Sequence, residues 1–312
     1  MARVFSVNVS SEKGPKSPVS EAVLVAGRGI EGDAHAGTDR QISLLAKESV
    51  DKIEITGIRL APGDFGENIT TEGIDAASIV VGQRLAVGDG AVLQISEIGK
   101  VCATPCSIGR RLGDCIMPRE GIFARVVRGG RIAAGDSVEP TDINIAAVIT
   151  SSDRSASGER EDESGPLLVS LLMELGIAVS DYSVLPDEEA ELMEKLIFLA
   201  DRCALDLVLT TGGTGFGPRD RMPEATAAVL ESQASGISEA LRHEGMRHTP
   251  FACMSRGLSG LRGRTLIINL PGSKRAIIES ADLLRSILPH ILEVMRAKVM
   301  DCGVIPRPAK PL

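Results

Sequence analysis

The chain has 312 residues with 42 acidic and 34 basic side chains, which gives a formal net charge of −8 at pH 7. It contains no tryptophan, one tyrosine and six phenylalanines. An acidic chain with so few aromatic rings for stacking is a poor nucleic-acid binder. The length predicts two domains, each large enough to bury a hydrophobic core.

The amino-terminal residues and the cysteines indicate the cellular compartment. The first six residues lead into polar residues rather than into a signal-peptide pattern, and no apolar run approaches ~18 residues. The six cysteines are too few and too unevenly spread for a disulfide scaffold. We therefore expect a soluble cytoplasmic protein with reduced thiols and no membrane contact.

Residues 1–140 alternate short runs of β-branched residues with glycine turns. This spacing predicts a mainly-β domain, a barrel or sandwich with few helices. One helix is predicted, over residues 43–53. The predicted strands cover residues 4–9, 22–25, 79–81, 84–87, 91–98 and 123–127.

Polar side chains in the loops of this half are candidates to line a pocket. They include Asp33 and His35 in a glycine-rich stretch, Arg40, and the stretch 62–68. Most histidines in such loops are solvated or structural, so His35 alone does not establish a ligand site. Both interpretations stay open from the residues alone.

Three cysteines of the first half, Cys102, Cys106 and Cys115, lie close together. A zinc site would favour a C-x₂-C pair with a matching second pair, which this spacing does not provide. Arg110 and Arg111 follow Cys106, and positive surroundings favour a reactive thiolate. A buried, unreactive cysteine is the alternative.

Four motifs occur in order in the first half. They are Gly32-Asp33-x-His35-x-Gly37, Gly63-Asp64-Phe65-Gly66-Glu67-Asn68, the run 81–88 and Pro105-Cys106. With these motifs, roughly residues 3–139 resemble the MOSC domain, a β-barrel module related to the C-terminal domain of molybdenum cofactor sulfurases. The resemblance implies that Cys106 handles sulfur or contacts the cofactor.

Residues 141–312 change to an alternation of strands and helices. A buried apolar run at 144–150 follows a short linker, and leucines at helical spacing within 166–175 mark one face of a helix. This alternation predicts a doubly wound, three-layer α/β domain. The other predicted strands cover 180–185, 206–210 and 264–270, and the other predicted helices cover 188–201, a stretch starting at 223, and 275–300.

A glycine loop follows one of these strands, where residues 210–215 read TTGGTG. Glycines permit positive φ and let backbone amides approach an anion. Asp220 lies between this loop and the helix start at Pro223, and a carboxylate beside a phosphate requires a cation such as Mg²⁺ between them. The loop fits neither standard nucleotide-binding glycine motif, and a tight turn is the alternative for the glycine pair alone.

Three further loops are expected at the same edge of the sheet. They contain Ser152 with Asp153, Asp187, and the stretch 269–274 before the C-terminal helix. Taken alone, Asp187 is better explained as a helix cap, and the other loops as turns. The four loops together predict a nucleotide-sized site.

The loops and helix starts of the second half contain a set of short motifs. They are Ser152-Asp153, Asp162-Glu163-Ser164-Gly165-Pro166, Pro186-Asp187, Thr211-Gly212-Gly213-Thr214-Gly215-Phe216, Pro218-Arg219-Asp220, Pro223-Glu224-Ala225-Thr226 and Leu270-Pro271-Gly272-Ser273. This set resembles the motifs of the molybdopterin adenylyltransferase family, which includes the G domain of gephyrin-like proteins. The resemblance implies transfer of AMP from ATP to the terminal phosphate of molybdopterin, with Mg²⁺ and release of pyrophosphate.

This resemblance assigns roles to individual residues. The two aspartates of the family's site fall on Asp187 and Asp220, which are implied to be catalytic and to bind Mg²⁺. Lys274 or Arg219 would add positive charge near the α-phosphate, although Lys274 replaces a proline common in the family. Met222 replaces a threonine, with a predicted loss of ~1 kcal/mol of helix capping. The residues implied to bind nucleotide and pterin are Ser152, Asp153, Ser164, Gly165, Thr211, Gly212, Gly213, Thr214, Gly215, Pro271, Gly272 and Ser273.

The leading hypothesis is a two-domain protein of molybdenum cofactor biosynthesis. The domain at 141–312 would adenylylate molybdopterin, and the domain at 1–140 would bind the cofactor or handle sulfur. One alternative is a non-catalytic molybdopterin carrier, and another is a cysteine-based sulfurtransferase centred on Cys106. The expected partners are a pterin, a nucleotide, other cofactor-synthesis proteins or molybdoenzymes, and further copies of the chain in a trimer.

Overall fold

The computed structural model describes residues 1–52, 60–99, 110 and 115–296. The chain divides into two compact units. The first comprises Met1–Asp142 with the short segment Arg202–Ala204, and the second comprises Ile143–Asp201 and the chain from Leu205 onward. Cys102 and the candidate thiol Cys106 lie outside the described residues.

The described part of the first unit consists mainly of strands. Its helices are α1 (Lys47–Asp51) and α2 (Met117–Glu120), and a 3₁₀ turn covers Ala76–Ser78. Its strands are β1 (Arg3–Val9), β2 (Ser17–Val19), β3 (Glu21–Val25), β4 (Gly29–Ile30), β5 (Ile42–Ala46), β6 (Ile69–Glu72), β7 (Arg84–Val87), β8 (Ala91–Ile98), β9 (Ile122–Arg128), β10 (Gly130–Ala133) and β11 (Val138–Pro140).

These strands form two sheets. Eight of them pair in the order β11-β7-β8-β9-β5-β6-β1-β2, and β10-β3-β4 form a separate three-stranded sheet. Backbone hydrogen bonds from Val4 to Asp136 and from Val138 to Ala2 join the start of β1 to the start of β11. The mainly-β prediction is confirmed, whereas the barrel is not, because no closed barrel is found among the described strands.

The hydrophobic core of the first unit is built from inward-facing strand residues. Leu93 and Ile95 of β8 are buried and lie two residues apart, as expected when one face of a strand is covered. Val4 and Val7 of β1 are also buried, and an irregularity between Val4 and Ser6 shifts the strand register between them. They pack with buried side chains of the smaller sheet, such as Ile132. The core therefore joins both sheets.

The helix predicted at 43–53 is wrong over its first four residues, which belong to a strand. All five residues of Ile42–Ala46 are buried in strand β5, which lies between β6 and β9. A strand with both faces covered has a continuous apolar sequence, which short-range spacing does not distinguish from a helix. Helix α1 covers only Lys47–Asp51, and Ile53 lies outside the described residues.

The strand predicted at 79–81 is also wrong. Val80 and Val81 are 60% and 61% exposed and belong to neither sheet. The Val80 amide donates to the Gln83 side chain over 3.1 Å, so the chain turns here instead of pairing. The other five strands predicted in this half are confirmed to within two residues at each end.

A buried ion pair lies beneath the loops of the first unit. Lys16 Nζ is 2.5 Å from Asp33 Oδ2, and both side chains are fully buried. Asn68 Nδ2 donates to Asp33 Oδ2 over 3.0 Å, and the His35 amide donates to Asp33 Oδ1 over 3.0 Å. Burial opposes ionisation of Asp33, but hydrogen bonds from His35 and Lys16 outweigh it and hold the pKa of this carboxyl well below its usual range.

The second unit alternates strands and helices. A π-helical turn covers Phe198–Arg202, and a 3₁₀ helix covers Pro250–Met254. The strands are β12 (Ile145–Ser151), β13 (Ala178–Leu185), β14 (Leu207–Thr211), β15 (Ser232–Gln233), β16 (Ser259–Arg262) and β17 (Thr265–Leu270), and the helices are α3 (Asp153–Ala156), α4 (Ser164–Glu174), α5 (Glu189–Ile197), α6 (Met222–Val229), α7 (Ser235–Met246) and α8 (Lys274–Met295).

The six strands of this unit form one mixed sheet in the order β13-β12-β14-β17-β16-β15. The first four strands are parallel. Strand β16 is antiparallel to β17, and β15 is antiparallel to β16. Helices α4, α7 and α8 pack on the face that carries Ala146 and Val148 of β12. Helices α5 and α6 pack against each other, and α6 also contacts β17. The α/β prediction is confirmed, with a mixed sheet whose last two strands join by antiparallel pairing.

The sequence patterns missed β15, β16 and α7. Strand β15 has two residues, and β16 reads SGLR, so neither presents an apolar run. Helix α7 buries only Ser238 and Leu241 and therefore lacks the apolar stripe that identifies a helix. The two strands extend the sheet beyond β17, away from β12 and β14.

The buried ion pair of the first unit predicts a large effect of substitution. Lys16→Met is expected to lower the free energy of unfolding by about 3–5 kcal/mol, because it leaves the Asp33 carboxylate buried without its cation. Urea denaturation of the full chain at pH 7 measures this change.

Arg131→Gln is the matched control, because Arg131 pairs with Glu21 at an exposed site. An exposed pair contributes only about 0.2–1 kcal/mol. Equal effects of the two substitutions would contradict the assignment of Lys16 and Asp33 as a buried pair.

Candidate functional site

Four parallel strands end at one edge of the sheet in the second unit. The register pairs Ser151 with Leu185, Thr150 with Thr211, and Thr211 with Leu270. The loops after β12, β13, β14 and β17 therefore begin side by side. Ligands bind at this edge of open α/β sheets.

A pocket of about 340 Å³ lies at this edge. Its size falls in the range of small-molecule sites. It is lined by these residues that the sequence predicted to bind ligand or metal: Ser152, Asp153, Ser164, Asp187, Gly212, Gly213, Asp220 and Gly272. It is also lined by residues of the same strand end and loop to which the sequence assigned no individual role: Thr150, Ser151, Arg154, Ser155, Arg160, Glu161, Asp162 and Glu163.

Six other predicted residues are chain neighbours of the lining and hold its shape. Thr211 is fully buried, and its hydroxyl donates to the Pro271 carbonyl over 2.8 Å. The Ser273 hydroxyl accepts the Ala276 amide over 3.2 Å and caps α8. Thr211 therefore connects two loops, and Ser273 serves as a helix cap. The six residues are Gly165, Thr211, Thr214, Gly215, Pro271 and Ser273.

The glycine pair is required by close packing at this edge. Gly212 and Gly213 have φ of +91° and +60°. A Cβ on Gly212 would lie 2.2 Å from the Ser151 carbonyl oxygen, and a Cβ on Gly213 would lie 2.8 Å from Asp187 Oδ1. Only glycine fits both the backbone conformation and the space.

Asp187 is fixed by reciprocal hydrogen bonds to the loop after β12. Its Oδ1 accepts from the Ser151 hydroxyl over 2.5 Å, and its Oδ2 accepts from the Asp153 amide over 3.2 Å. The Asp187 amide donates in turn to Asp153 Oδ1 over 3.0 Å. The carboxylate is thereby oriented at the pocket wall.

Asp220 is held by the loop on which it lies and by a distant arginine. Its Oδ2 accepts from the Gly217 amide over 2.7 Å. Arg256 donates to the carbonyl oxygens of Gly215 and Asp220 over 2.6 and 2.8 Å and pairs with Glu224. The Arg256 hydrogen bond also lowers the pKa of the Glu224 carboxyl. No local sequence signal identifies Arg256, because it lies far along the chain from the loop that it holds.

Asp162 ties two strand ends to the start of α4. Its Oδ2 accepts from the hydroxyls of Thr150 and Tyr182 over 2.5 and 2.6 Å. Its Oδ1 accepts from the amides of Ser164 and Gly165 over 2.9 and 3.2 Å. Burial opposes its ionisation, but these hydrogen bonds outweigh burial and lower the pKa of Asp162.

Two basic residues that the sequence placed near the α-phosphate are ion-paired. Arg219 contacts Asp153 with two nitrogens, over 3.0 and 3.1 Å, and Glu188 over 2.6 Å. Lys274 Nζ lies 3.2 Å from Glu163 Oε1. Hydrogen bonding by Arg219 lowers the pKa of the Asp153 carboxyl. Both cations are thus engaged by carboxylates at the pocket.

Met222 begins α6 without a side-chain cap. Its side chain is fully buried, and its amide donates to the Gly213 carbonyl over 3.2 Å. The residue before it, Arg221, makes no capping hydrogen bond. The predicted cost of the missing hydroxyl stays a prediction, and Met222 contributes to the core instead.

Two protein families match the chain. Residues 31–139 match the family described as "MOSC domain", and residues 147–290 match the family described as "Probable molybdopterin binding domain". Each match falls in one half of the chain.

Individual relatives agree with these family matches. A "Molybdenum cofactor synthesis protein cinnamon" of Drosophila melanogaster is 39% identical over 149 residues, 47% of this chain and 25% of that protein. A "Molybdenum cofactor biosynthesis bifunctional protein" of Synechococcus elongatus is 34% identical over 217 residues, 69% of this chain and 66% of that protein. A "Molybdopterin adenylyltransferase" of Helicobacter pylori is 35% identical over 156 residues, 49% of this chain and 89% of that protein.

The matched lengths differ among these relatives. The chain spans 25% of the Drosophila protein and 66% of the Synechococcus protein, but 89% of the Helicobacter protein.

In the described ranges, no helix combines the length and the apolar character needed to cross a membrane.

The glycine packing predicts a difference between two glycine-to-alanine substitutions. Gly176 also has positive φ, +70°, but nothing lies within 4 Å of its added Cβ. Gly176→Ala is expected to cost about 1–2 kcal/mol of unfolding free energy from backbone conformation alone. Gly212→Ala is expected to cost at least about 2 kcal/mol more, because its Cβ also collides with the Ser151 carbonyl.

Chemical denaturation of both variants beside the wild type measures this difference. A Gly212→Ala variant that is as stable as Gly176→Ala would show that the loop after β14 does not pack against β12 in this way.

Proposed function

Because the second half of the chain belongs to the molybdopterin adenylyltransferase family and the first half is a MOSC domain, we propose that this protein transfers AMP from ATP to molybdopterin in molybdenum cofactor biosynthesis. The observation that carries the proposal is the pocket that brings Asp187, Asp220 and the glycine pair Gly212-Gly213 together. Two carboxylates beside a backbone anion site are the parts that nucleotide transfer requires.

The reaction joins two phosphate groups. An oxygen of the terminal phosphate of molybdopterin forms a bond to the α-phosphorus of ATP. The bond from the α-phosphorus to its bridging oxygen breaks, and that oxygen leaves with the electron pair as part of pyrophosphate. The protein must hold two anions together and leave the α-phosphorus open to in-line attack.

Mg²⁺ fits the donor set at this pocket. Asp187 and Asp220 both line it, and in the described part of the chain no protein donor is hydrogen-bonded to Asp220 Oδ1. Mg²⁺ is commonly held by one or two carboxylates together with substrate phosphates. When bound there, it would neutralise phosphate charge that the two aspartates alone would repel.

The protein residues supply orientation. Ser151 and the Asp153 amide hold the Asp187 carboxylate, and Gly217 holds that of Asp220. The Gly213 amide has no acceptor among the described residues, so it is available to a phosphate oxygen. Preorganised groups of this kind stabilise charge without reorganising during the reaction.

The MOSC domain is proposed to act on the same cofactor, since both halves match families connected with molybdenum cofactors. Its buried Lys16 and Asp33 place His35 at the surface with 29% of its side chain exposed. The role of Cys106 in binding the cofactor or handling sulfur stays a prediction, because this residue lies outside the described residues. Trimer assembly and a cytoplasmic location likewise stay predictions.

The aspartates provide the kinetic test of the proposed activity. Asp220→Asn keeps an oxygen for the Gly217 amide but removes the negative charge, so kcat/KM is expected to fall by about 100-fold or more with an unchanged unfolding midpoint. Pyrophosphate release by the full chain with molybdopterin, ATP and Mg²⁺ measures the rate. Asp187→Asn is expected to lower kcat/KM to a similar extent, for the same reason.

Asp282→Asn is the matched control, because the Asp282 side chain is 98% exposed on α8. Its kcat/KM is expected to equal that of the wild type. Full activity in a folded Asp220→Asn variant would contradict the proposed metal site. A wild type that binds molybdopterin without turnover would favour the carrier alternative.

A further inference from the structure

The pocket has more carboxylates than cations among its lining residues, although it is proposed to bind phosphates. The described residues that line it include six carboxylates, and its lining cations are Arg154 and Arg160. Carboxylates and phosphates are both negatively charged, so carboxylates in a pocket of this size repel a phosphate strongly. The six carboxylates are Asp153, Glu161, Asp162, Glu163, Asp187 and Asp220.

Three of these carboxylates already have partners that offset or satisfy their charge. Arg219 neutralises Asp153, and Lys274 pairs with Glu163. Asp162 receives hydrogen bonds from two hydroxyls and two backbone amides. Of the other three, Asp187 and Asp220 are the proposed metal site, and Glu161 is exposed with no ion pair among the described residues. The engaged cations Arg219 and Lys274 are therefore not free to bind a substrate anion in this arrangement.

Arg154 and Arg160 differ from these two cations. Across residues 1–52, 60–99, 110 and 115–296, neither guanidinium forms an ion pair or a side-chain hydrogen bond. Both side chains are exposed at the pocket. An arginine guanidinium presents a planar fork of donors that matches phosphate oxygens in pairs.

The loop between β12 and α4 brings the two arginines together. Ser152 caps α3 by accepting the Ser155 amide over 3.3 Å, which fixes the start of the loop. The Arg160 amide donates to the Arg154 carbonyl over 3.1 Å, and Gly158 makes the intervening turn with φ of +77°. The two backbones are thus held side by side while the side chains stay free to reach a ligand.

We propose that Arg154 and Arg160 form the phosphate-anchoring site of this pocket, and that they bind a phosphate group of a substrate while Asp187 and Asp220 serve the metal. This inference rests on the proposed function, since it names the residues that hold one of its two anions. The ligand chemistry is a phosphomonoester or a polyphosphate, which the pterin and ATP respectively provide.

Steady-state kinetics of the full chain test the proposal. Arg154→Gln, Arg160→Gln and the double variant are compared with the wild type, with KM measured separately for ATP and for molybdopterin. The double variant is expected to raise one of these KM values by about tenfold or more, with a much smaller change in kcat, because a lost charged hydrogen bond weakens ground-state and transition-state binding alike. A rise confined to molybdopterin identifies the phosphomonoester, and a rise confined to ATP identifies the polyphosphate.

Two controls separate a specific site from general loss of positive charge. Arg264 is exposed in the turn that precedes β17. The pocket lies where β17 ends, so Arg264 is at the opposite end of the sheet. Arg264→Gln is expected to leave both KM values unchanged. Arg154→Lys with Arg160→Lys is expected to recover part of the binding, because charge is restored without the paired geometry.

Binding of inorganic pyrophosphate distinguishes failure of this inference from failure of the proposed activity. Calorimetric titration needs no turnover, and the double variant is expected to bind pyrophosphate about tenfold or more weakly than the wild type. That loss in a protein without adenylyl transfer would uphold the arginine site while rejecting the proposed reaction. The inference would be overturned if the double variant had both KM values and a pyrophosphate affinity within about twofold of those of the Arg264→Gln control.

Discussion

The parallel register of β13, β12, β14 and β17 determines where the loops of the candidate site begin. Because Thr150 lies opposite Thr211, and Thr211 opposite Leu270, segments far apart in the chain start next to one another. The closeness of the strand ends is also what excludes a side chain at Gly212. A shift of one residue would turn alternate side chains to the other face and remove Ser151 from Asp187.

Charge is the second constraint, and it follows from the first. Bringing these loops together gathers carboxylates that would repel a phosphate ligand. The protein satisfies some of them internally, Asp162 with hydroxyl and amide donors and Asp153 with Arg219. Of the other lining groups, the two aspartates are proposed for Mg²⁺, the two arginines are proposed for phosphate, and Glu161 is exposed at the pocket. Asp153 and Asp162 thus have a structural role at the pocket, and the two other aspartates and the two arginines have the proposed ligand-binding role.

Most of the α/β unit is predictable from the sequence because its helices are periodic and its central strands are continuous apolar runs. The glycine loop also has a local signal, whereas Asp187 alone is better explained as a helix cap and its proposed role depends on the family resemblance. The sequence could not identify the bracing by Arg256, which depends on tertiary contacts with Gly215 and Asp220. It also assigned Thr211 to ligand binding, whereas the buried hydroxyl bonds to Pro271. In the β unit, Ile42–Ala46 resembled a helix because both faces of the strand are covered.

The most direct test of the proposed activity is the mass of the pterin recovered after incubation of the full chain with molybdopterin, ATP and Mg²⁺. Adenylyl transfer predicts a pterin whose mass has increased by one AMP group, with one pyrophosphate released for each product molecule. Recovery of unmodified molybdopterin from folded protein that binds both substrates would contradict the account. Mass spectrometry of the pterin fraction distinguishes these two results without depending on any variant.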